Sequence, residues 1–319
     1  MMHPRLAQPW GGDSHTSDIG GPVHWADFGG PQGAPPIVMV HGLGGSHLNW
    51  VRVAPALTER NRVITIDLPG FGFSPAAGRK TSIGANRKIL DRFINEIIGG
   101  PVILMGNSMG GAITILQAAA SPHAVTAVVL VNPALPRPVE VPDGQVAAQF
   151  LMYAVPGVGE AFMDISRRSR SDRELVQRVI NLCFVDPRRS DPELMDAATE
   201  LVAYRRRHMP KQDAAFLQAA RSVLRAGLRP RQFKNTMKSL PQPVLLIHGD
   251  KDRLVPITAA RIAAAANPKW DTEFLSDVGH TPQLETPHAV IHAVGRWLDR
   301  HELGAAGAGH LTAPTEENR

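Results

Sequence analysis

Five short apolar runs, each closed by a turn, constrain this chain more than any other feature. Residues 37–40, 63–66, 102–105, 127–131 and 244–247 are built mainly from Val, Ile, Leu and Met. They end, in order, on His41-Gly42, Asp67-Leu68-Pro69-Gly70, Gly106, Asn132-Pro133 and His248-Gly249. A strand with one wet face alternates apolar and polar residues, whereas a strand covered on both faces does not. The runs are too short for helices, and helix-like stretches follow them, so they read as strands of a mostly parallel sheet flanked by helices, an α/β architecture. Residues 23–28 do alternate and stop at Gly29-Gly30, as a hairpin or edge strand would. Residues 272–275 read as a final short strand. Val290, Ile291, Val294, Trp297 and Leu298 recur at helical spacing in a closing helix over 287–303.

Between Asn132-Pro133 and Pro241-Gln242-Pro243 the strand signals stop. That stretch reads as helices punctuated at Pro156-Gly157, Asp186-Pro187, Asp191-Pro192 and Met209-Pro210. Asp191-Pro192-Glu193 is a helix start, with Pro at the first helical position and an acid in the first turn. The organisation expected is a core of residues 22–133 and 241–303, an inserted helical cap (lid) over 134–240, and loose tails at 1–21 and 304–319.

Composition narrows the function classes. With a single cysteine, Cys183, the chain has neither an intramolecular disulfide framework nor a multi-thiolate metal cage. No apolar run approaches the roughly 18 residues of a membrane-spanning helix. Residues 1–12 hold two prolines and no apolar signal core. A cytoplasmic protein with no integral membrane segment is therefore expected. The net charge of +5 invites a nucleic-acid reading. Yet residues 134–240 carry 18 Lys and Arg against 12 Asp and Glu, a net of +6 that leaves the remainder at −1. The clusters Arg167, Arg168, Arg170 and Arg205, Arg206, Arg207 are interspersed with acids, and aromatics are only 5% of the chain, too few for stacking platforms. These read as solvated helix faces, with a surface that attracts anionic partners or a membrane as the alternative, and no nucleic-acid partner is expected.

The sharpest chemical signal is Gly106-Asn107-Ser108-Met109-Gly110, directly after one strand and before an Ala-rich helix. A nucleophile on a sharp strand-to-helix turn needs small neighbours, because other backbone must approach it closely. The turn also leaves the Met109 N–H at a helix N-terminus, aimed at developing negative charge. A serine hydroxyl needs a base to take its proton and an acid to orient the base. His280 follows Gly279 in a Pro-rich loop, and Asp250 and Asp252 lie in the turn after residues 244–247. All sit past the carboxyl ends of strands, the edge where open parallel sheets gather ligands. The spacing alone leaves the choice between the two aspartates open.

With these motifs, together with His41-Gly42-Leu43-Gly44-Gly45-Ser46 and Asp67-Leu68-Pro69-Gly70-Phe71-Gly72-Phe73-Ser74, the chain resembles the α/β-hydrolase fold superfamily, in its serine hydrolase and esterase branch with a helical cap. The resemblance runs from about residue 23 to 301. It implies Ser108 as nucleophile, His280 as base and Asp252 as acid, with the amides of Leu43 and Met109 forming the oxyanion hole. His41 is expected to brace its loop. The reaction implied is hydrolysis of a small carboxylic ester through an acyl-enzyme, with no metal and no organic cofactor. Serine at the elbow argues against the branches that use aspartate there. Asn107 is similar to the elbow of the meta-cleavage-product C–C hydrolases, which makes that reaction the alternative, beside a ligand receptor that turns over slowly. In the apolar stretch 146–155, Phe150, Met152 and Tyr153 are expected either to wall an apolar acyl pocket or to pack as helix core. The oligomeric state is left unassigned.

Overall fold

The computed structural model describes residues 4–136, 143–227 and 230–305. Eight strands form one sheet: β1 (Asp13–Asp18), β2 (Pro22–Asp27), β3 (Ile37–Val40), β4 (Val63–Ile66), β5 (Val102–Asn107), β6 (Val125–Val131), β7 (Val244–Gly249) and β8 (Asp271–Leu275). Their order is β1-β2-β4-β3-β5-β6-β7-β8. The first two pairings are antiparallel and the remaining five parallel.

The absence of polar alternation now has its cause. In β3, Val38 and Val40 pack toward Leu90, Ile113 and Ile115, while Ile37 and Met39 pack toward Trp50, Leu57 and Trp297. Helices Ile83–Phe93 and Met109–Ala120 cover the first face, and helix Pro287–Arg300 covers the second. Burying a Val, Leu or Ile side chain stabilises by roughly 1.5–3 kcal/mol, so both faces contribute. The closing helix ends at Arg300, close to the expected 303.

The expected loose tail at 1–21 is corrected. Residues 4–7 form a helical turn with Leu6 buried, β1 pairs with β2 along its whole length, and Ile19 is fully buried. Strand β1 reads Asp-Ser-His-Thr-Ser-Asp, with side chains almost all exposed. An edge strand held by its backbone ladder leaves no hydrophobic period in the sequence. At the other end, the tail expected over 304–319 lies outside the described residues from 306 onward; Ala305 donates its N–H to the Arg60 carbonyl at 2.9 Å.

Between β6 and β7 the described residues form helices and turns only: Gly144–Ala154, Val158–Arg168, Asp172–Cys183, Pro192–His208, Gln212–Gly227 and Pro230–Lys238. Their starts follow the local chemistry. Asp191 caps Pro192–His208 through the Leu194 N–H with Pro at the first position, and Ser171 and Glu174 form a reciprocal capping box. The insertion seats on the sheet domain through polar contacts. Thr81 Oγ1 donates to the Ala215 carbonyl at 2.6 Å, Ile83 N–H donates to Ser222 Oγ at 3.0 Å, and Arg205 donates to the Gly70 carbonyl at 2.7 Å.

Candidate active site

Strand β5 delivers its last residue, Asn107, into a turn that Ser108 makes at φ 53° and ψ −118°. A non-glycine residue held there is strained, and such strain persists where the surroundings over-determine the backbone. The surroundings here are main chain. Ser108 donates its N–H to the Val131 carbonyl at 3.2 Å, and its own carbonyl accepts from Ala112 and Ala134. The small neighbours are obligatory. A Cβ on Gly110 would lie 2.1 Å from the Val40 carbonyl oxygen, and one on Gly106 would lie 2.6 Å from the Gly110 carbonyl group.

Ser108 and Met109 open onto a cavity of about 450 Å³ between the sheet domain and the helical insertion. Leu43, on the loop after β3, lines the same cavity, as does His280. His280 Nδ1 lies 2.7 Å from Asp252 Oδ2, which singles out that aspartate. Asp250 turns away and accepts the Asp277 N–H at 2.8 Å. The Asp252 carboxylate is fully committed: Oδ1 accepts the Leu254 and Val255 amides at 2.8 and 2.9 Å, and Oδ2 also accepts Asn132 Nδ2 at 2.7 Å. Burial alone would raise the Asp252 carboxyl, but His280, His248 and Asn132 together hold it below its ordinary value. Asn132, at φ 43°, further donates to the Gly279 carbonyl and so ties the ends of β6 and β7 to the histidine loop.

Cys183 also lines the cavity, yet burial and the nearby Asp252 and Glu285 carboxylates push its thiol up to about 12. The protonated thiol is a poor nucleophile.

Of the three expected wall residues, Phe150 and Tyr153 line the cavity with Phe162 and Phe216, and Met152 is not among its lining residues. The correction follows from helix geometry. At about 100° per residue, Val146, Phe150 and Tyr153 share a face, and Met152 points to the other side. Tyr153 meets Phe216 edge-on with centroids 5.2 Å apart.

Asp67 and residues 70–74 read from the sequence as a structural loop near the site, but sequence reasoning missed the two histidines that, with Asp67, brace the loop carrying Leu43. His24 and His47 each approach Asp67 Oδ2 through Nδ1, at 2.8 and 3.0 Å, and the carboxylate also accepts the main-chain N–H groups of His47 and Phe73. This is the one group of potential metal ligands among the described residues. The Asp67 carboxylate is occupied by two imidazole nitrogens and two amides, while His47 Nε2 is buried without a hydrogen-bond partner. Two histidines spaced 23 residues apart in a polar-poor core gave no periodic signal. His41 acts on the same loop. Its Nδ1 donates to the Gly42 carbonyl at 2.7 Å and its Nε2 accepts the Leu68 N–H at 3.0 Å. Burial pushes the imidazole down to about 4, so it is neutral and bracing.

Burial alone would raise the Asp67 carboxyl, but His47 and His24 hold it well below its ordinary value. Its contribution to stability is therefore present above about pH 4 and lost as pH falls through the depressed folded value. Asp67→Asn is expected to cost about 3 kcal/mol at pH 7, with the deficit shrinking below about pH 4. Urea unfolding of both proteins across pH checks this; a deficit independent of pH would show that the charge is not what stabilises.

The family profile of the alpha/beta hydrolase fold matches residues 35–287. Over 302 residues the chain is 25% identical to the dihydrolipoyllysine-residue acetyltransferase component of an acetoin cleaving system from Pseudomonas putida, a match covering 92% of this chain and 71% of that protein. It is 26% identical over 274 residues to a 2-hydroxy-6-oxononadienedioate/2-hydroxy-6-oxononatrienedioate hydrolase from Cupriavidus pinatubonensis, covering 83% and 87% of the two chains. It is 28% identical over 274 residues to a pimeloyl-[acyl-carrier protein] methyl ester esterase from Methylococcus capsulatus, covering 81% and 93%.

Proposed function

The chain belongs to the alpha/beta hydrolase fold family, and from that premise we propose that it hydrolyses carboxylic esters through an acyl-enzyme on Ser108. The observation that carries this reading is the 2.7 Å contact between His280 and Asp252 at the wall of the cavity onto which Ser108 opens. In this mechanism His280 takes the Ser108 proton as the hydroxyl attacks the ester carbonyl. The Leu43 and Met109 amides donate to the oxyanion, a preorganised arrangement worth several kcal/mol per donor in related chemistry. His280 then protonates the leaving alcohol and activates the water that releases the acid. Asp252 holds the imidazole tautomer and stabilises the imidazolium without taking the proton. The helical insertion acts as a cap whose Phe150, Tyr153, Phe162 and Phe216 suit an apolar acyl group.

A chain-length series of p-nitrophenyl esters, run beside a vinylogous 1,5-diketone, tests the reaction class. Ester hydrolysis should be the faster. The relative from Cupriavidus pinatubonensis and the Asn107 elbow favour C–C hydrolysis as the second reading, and faster turnover of the diketone would replace the first with it.

The acyl pocket makes its own prediction. Phe150→Ala should lower kcat/KM for hexanoate relative to acetate by about 1–2 kcal/mol, the worth of part of a buried aromatic, while Met152→Ala leaves the ratio unchanged. Equal loss on both esters in Phe150→Ala, with a lowered Tm, would leave Phe150 a packing residue only.

A further inference from the structure

The mechanism leaves unused a buried carboxyl side chain beside the histidine loop. Glu285 lies five residues beyond His280 with its side chain fully buried, and it spans two parts of the molecule. Its Oε2 accepts the Gly279 N–H at 2.8 Å, on the loop that presents His280. Its Oε1 accepts the Val185 and Asp186 amides at 2.8 and 3.2 Å, in the joint between insertion helices Asp172–Cys183 and Pro192–His208. Arg189 closes the same joint, donating to Glu285 Oε1 at 3.2 Å and to the Asp277 carbonyl at 2.7 Å.

The main chain runs through it too. His280 donates its own N–H to the Cys183 carbonyl at 2.6 Å, and a Cβ on Gly279 would fall 2.2 Å from that oxygen. Cys183 and Phe184 line the cavity beside His280. The insertion is thus bonded to the histidine loop by contacts on both sides of one carboxylate.

We infer that Glu285 is a positioning residue that couples the seating of the cap to the placement of the His280 imidazole. The cap cannot lift at this joint without breaking the Val185 and Asp186 bonds to Glu285 Oε1 and the His280 N–H bond to the Cys183 carbonyl, so closure over the substrate and readiness of the base are one event. A misplacement of about 1 Å in a reacting group can cost on the order of 100-fold, so a small slip here is costly. The inference rests on His280 being the base for Ser108.

The two oxygens make the idea testable by an isosteric change. In Glu285→Gln the volume is kept, but one oxygen is replaced by an NH₂ that faces amide donors, so only one of the two sides can remain bonded. The test compares wild type, Glu285→Gln and Glu285→Ala. It measures Tm, kcat and KM on p-nitrophenyl acetate, and the rate at which a fluorophosphonate labels Ser108. In both variants kcat and the labelling rate should fall together by about tenfold or more, with KM within about threefold of wild type. Full rescue by Gln, or a lowered Tm with unchanged kcat per folded enzyme, would overturn the coupling and leave a packing role. If the Gln variant does not fold, Arg189→Met decides: it removes the outer part of the joint and should slow labelling about threefold, and an unchanged rate would overturn the inference. Failure of the fluorophosphonate to label wild type would instead remove Ser108 as nucleophile, and the inference with it.

Discussion

Ser108→Ala is expected to remove ester turnover while the protein stays folded. The main-chain bonds that hold the elbow, from Ser108 N–H to Val131 and from Ala112 and Ala134 to the Ser108 carbonyl, do not involve the hydroxyl. Alanine at φ 53° carries the same backbone strain as serine, so the turn keeps its shape. What is lost is the attacking oxygen, and losses on the order of 10³-fold or more follow from removing such a group. Measured kcat on a short p-nitrophenyl ester, with circular dichroism and Tm alongside, checks it. A folded variant within about tenfold of wild type would reject Ser108 as the nucleophile.

Asp252→Asn should be comparably damaging, and Asp250→Asn mild. The Asp252 carboxylate receives four donors: the Leu254 and Val255 amides on Oδ1, and His280 and Asn132 on Oδ2. An asparagine that keeps its oxygen toward the two amides turns its NH₂ toward His280 and Asn132, donor against donor. The imidazole must then adopt the other tautomer or swing away, and in comparable geometry the loss is on the order of 10⁴-fold. The Asp250 side chain accepts the Asp277 amide in an exposed hydrogen bond, so its neutral replacement should leave kcat/KM within about tenfold. The reverse ranking would mean that the orienting acid has been assigned to the wrong residue.

Much of the architecture was legible in residue order because its causes are local. A run such as 37–40 has no polar alternation because both its faces are buried, and β3 and β4 coincide with the runs read from composition alone. The elbow was legible through its glycines: Gly106 is demanded by the Gly110 main chain a few residues on, and Gly110 by the Val40 carbonyl at the end of β3. Asp191 and Pro192 marked a helix start because capping is a contact between neighbours.

Other features depended on which distant segments meet. Strand β1 is held by its ladder to β2 and leaves its side chains in solvent, so it carried no apolar period to read. Asp250 and Asp252 are chemically alike two residues apart, and only the path of the 277–280 loop turns one toward an amide and the other toward an imidazole. Met152 was grouped with Phe150 and Tyr153 by composition, and the rotation of the helix separated them. The His24, His47 and Asp67 cluster and the Glu285 bridge join residues 20 to 100 positions apart. Hydrogen bonds reach about 3 Å and are blind to sequence separation, so such partners are chosen only once the chain has packed.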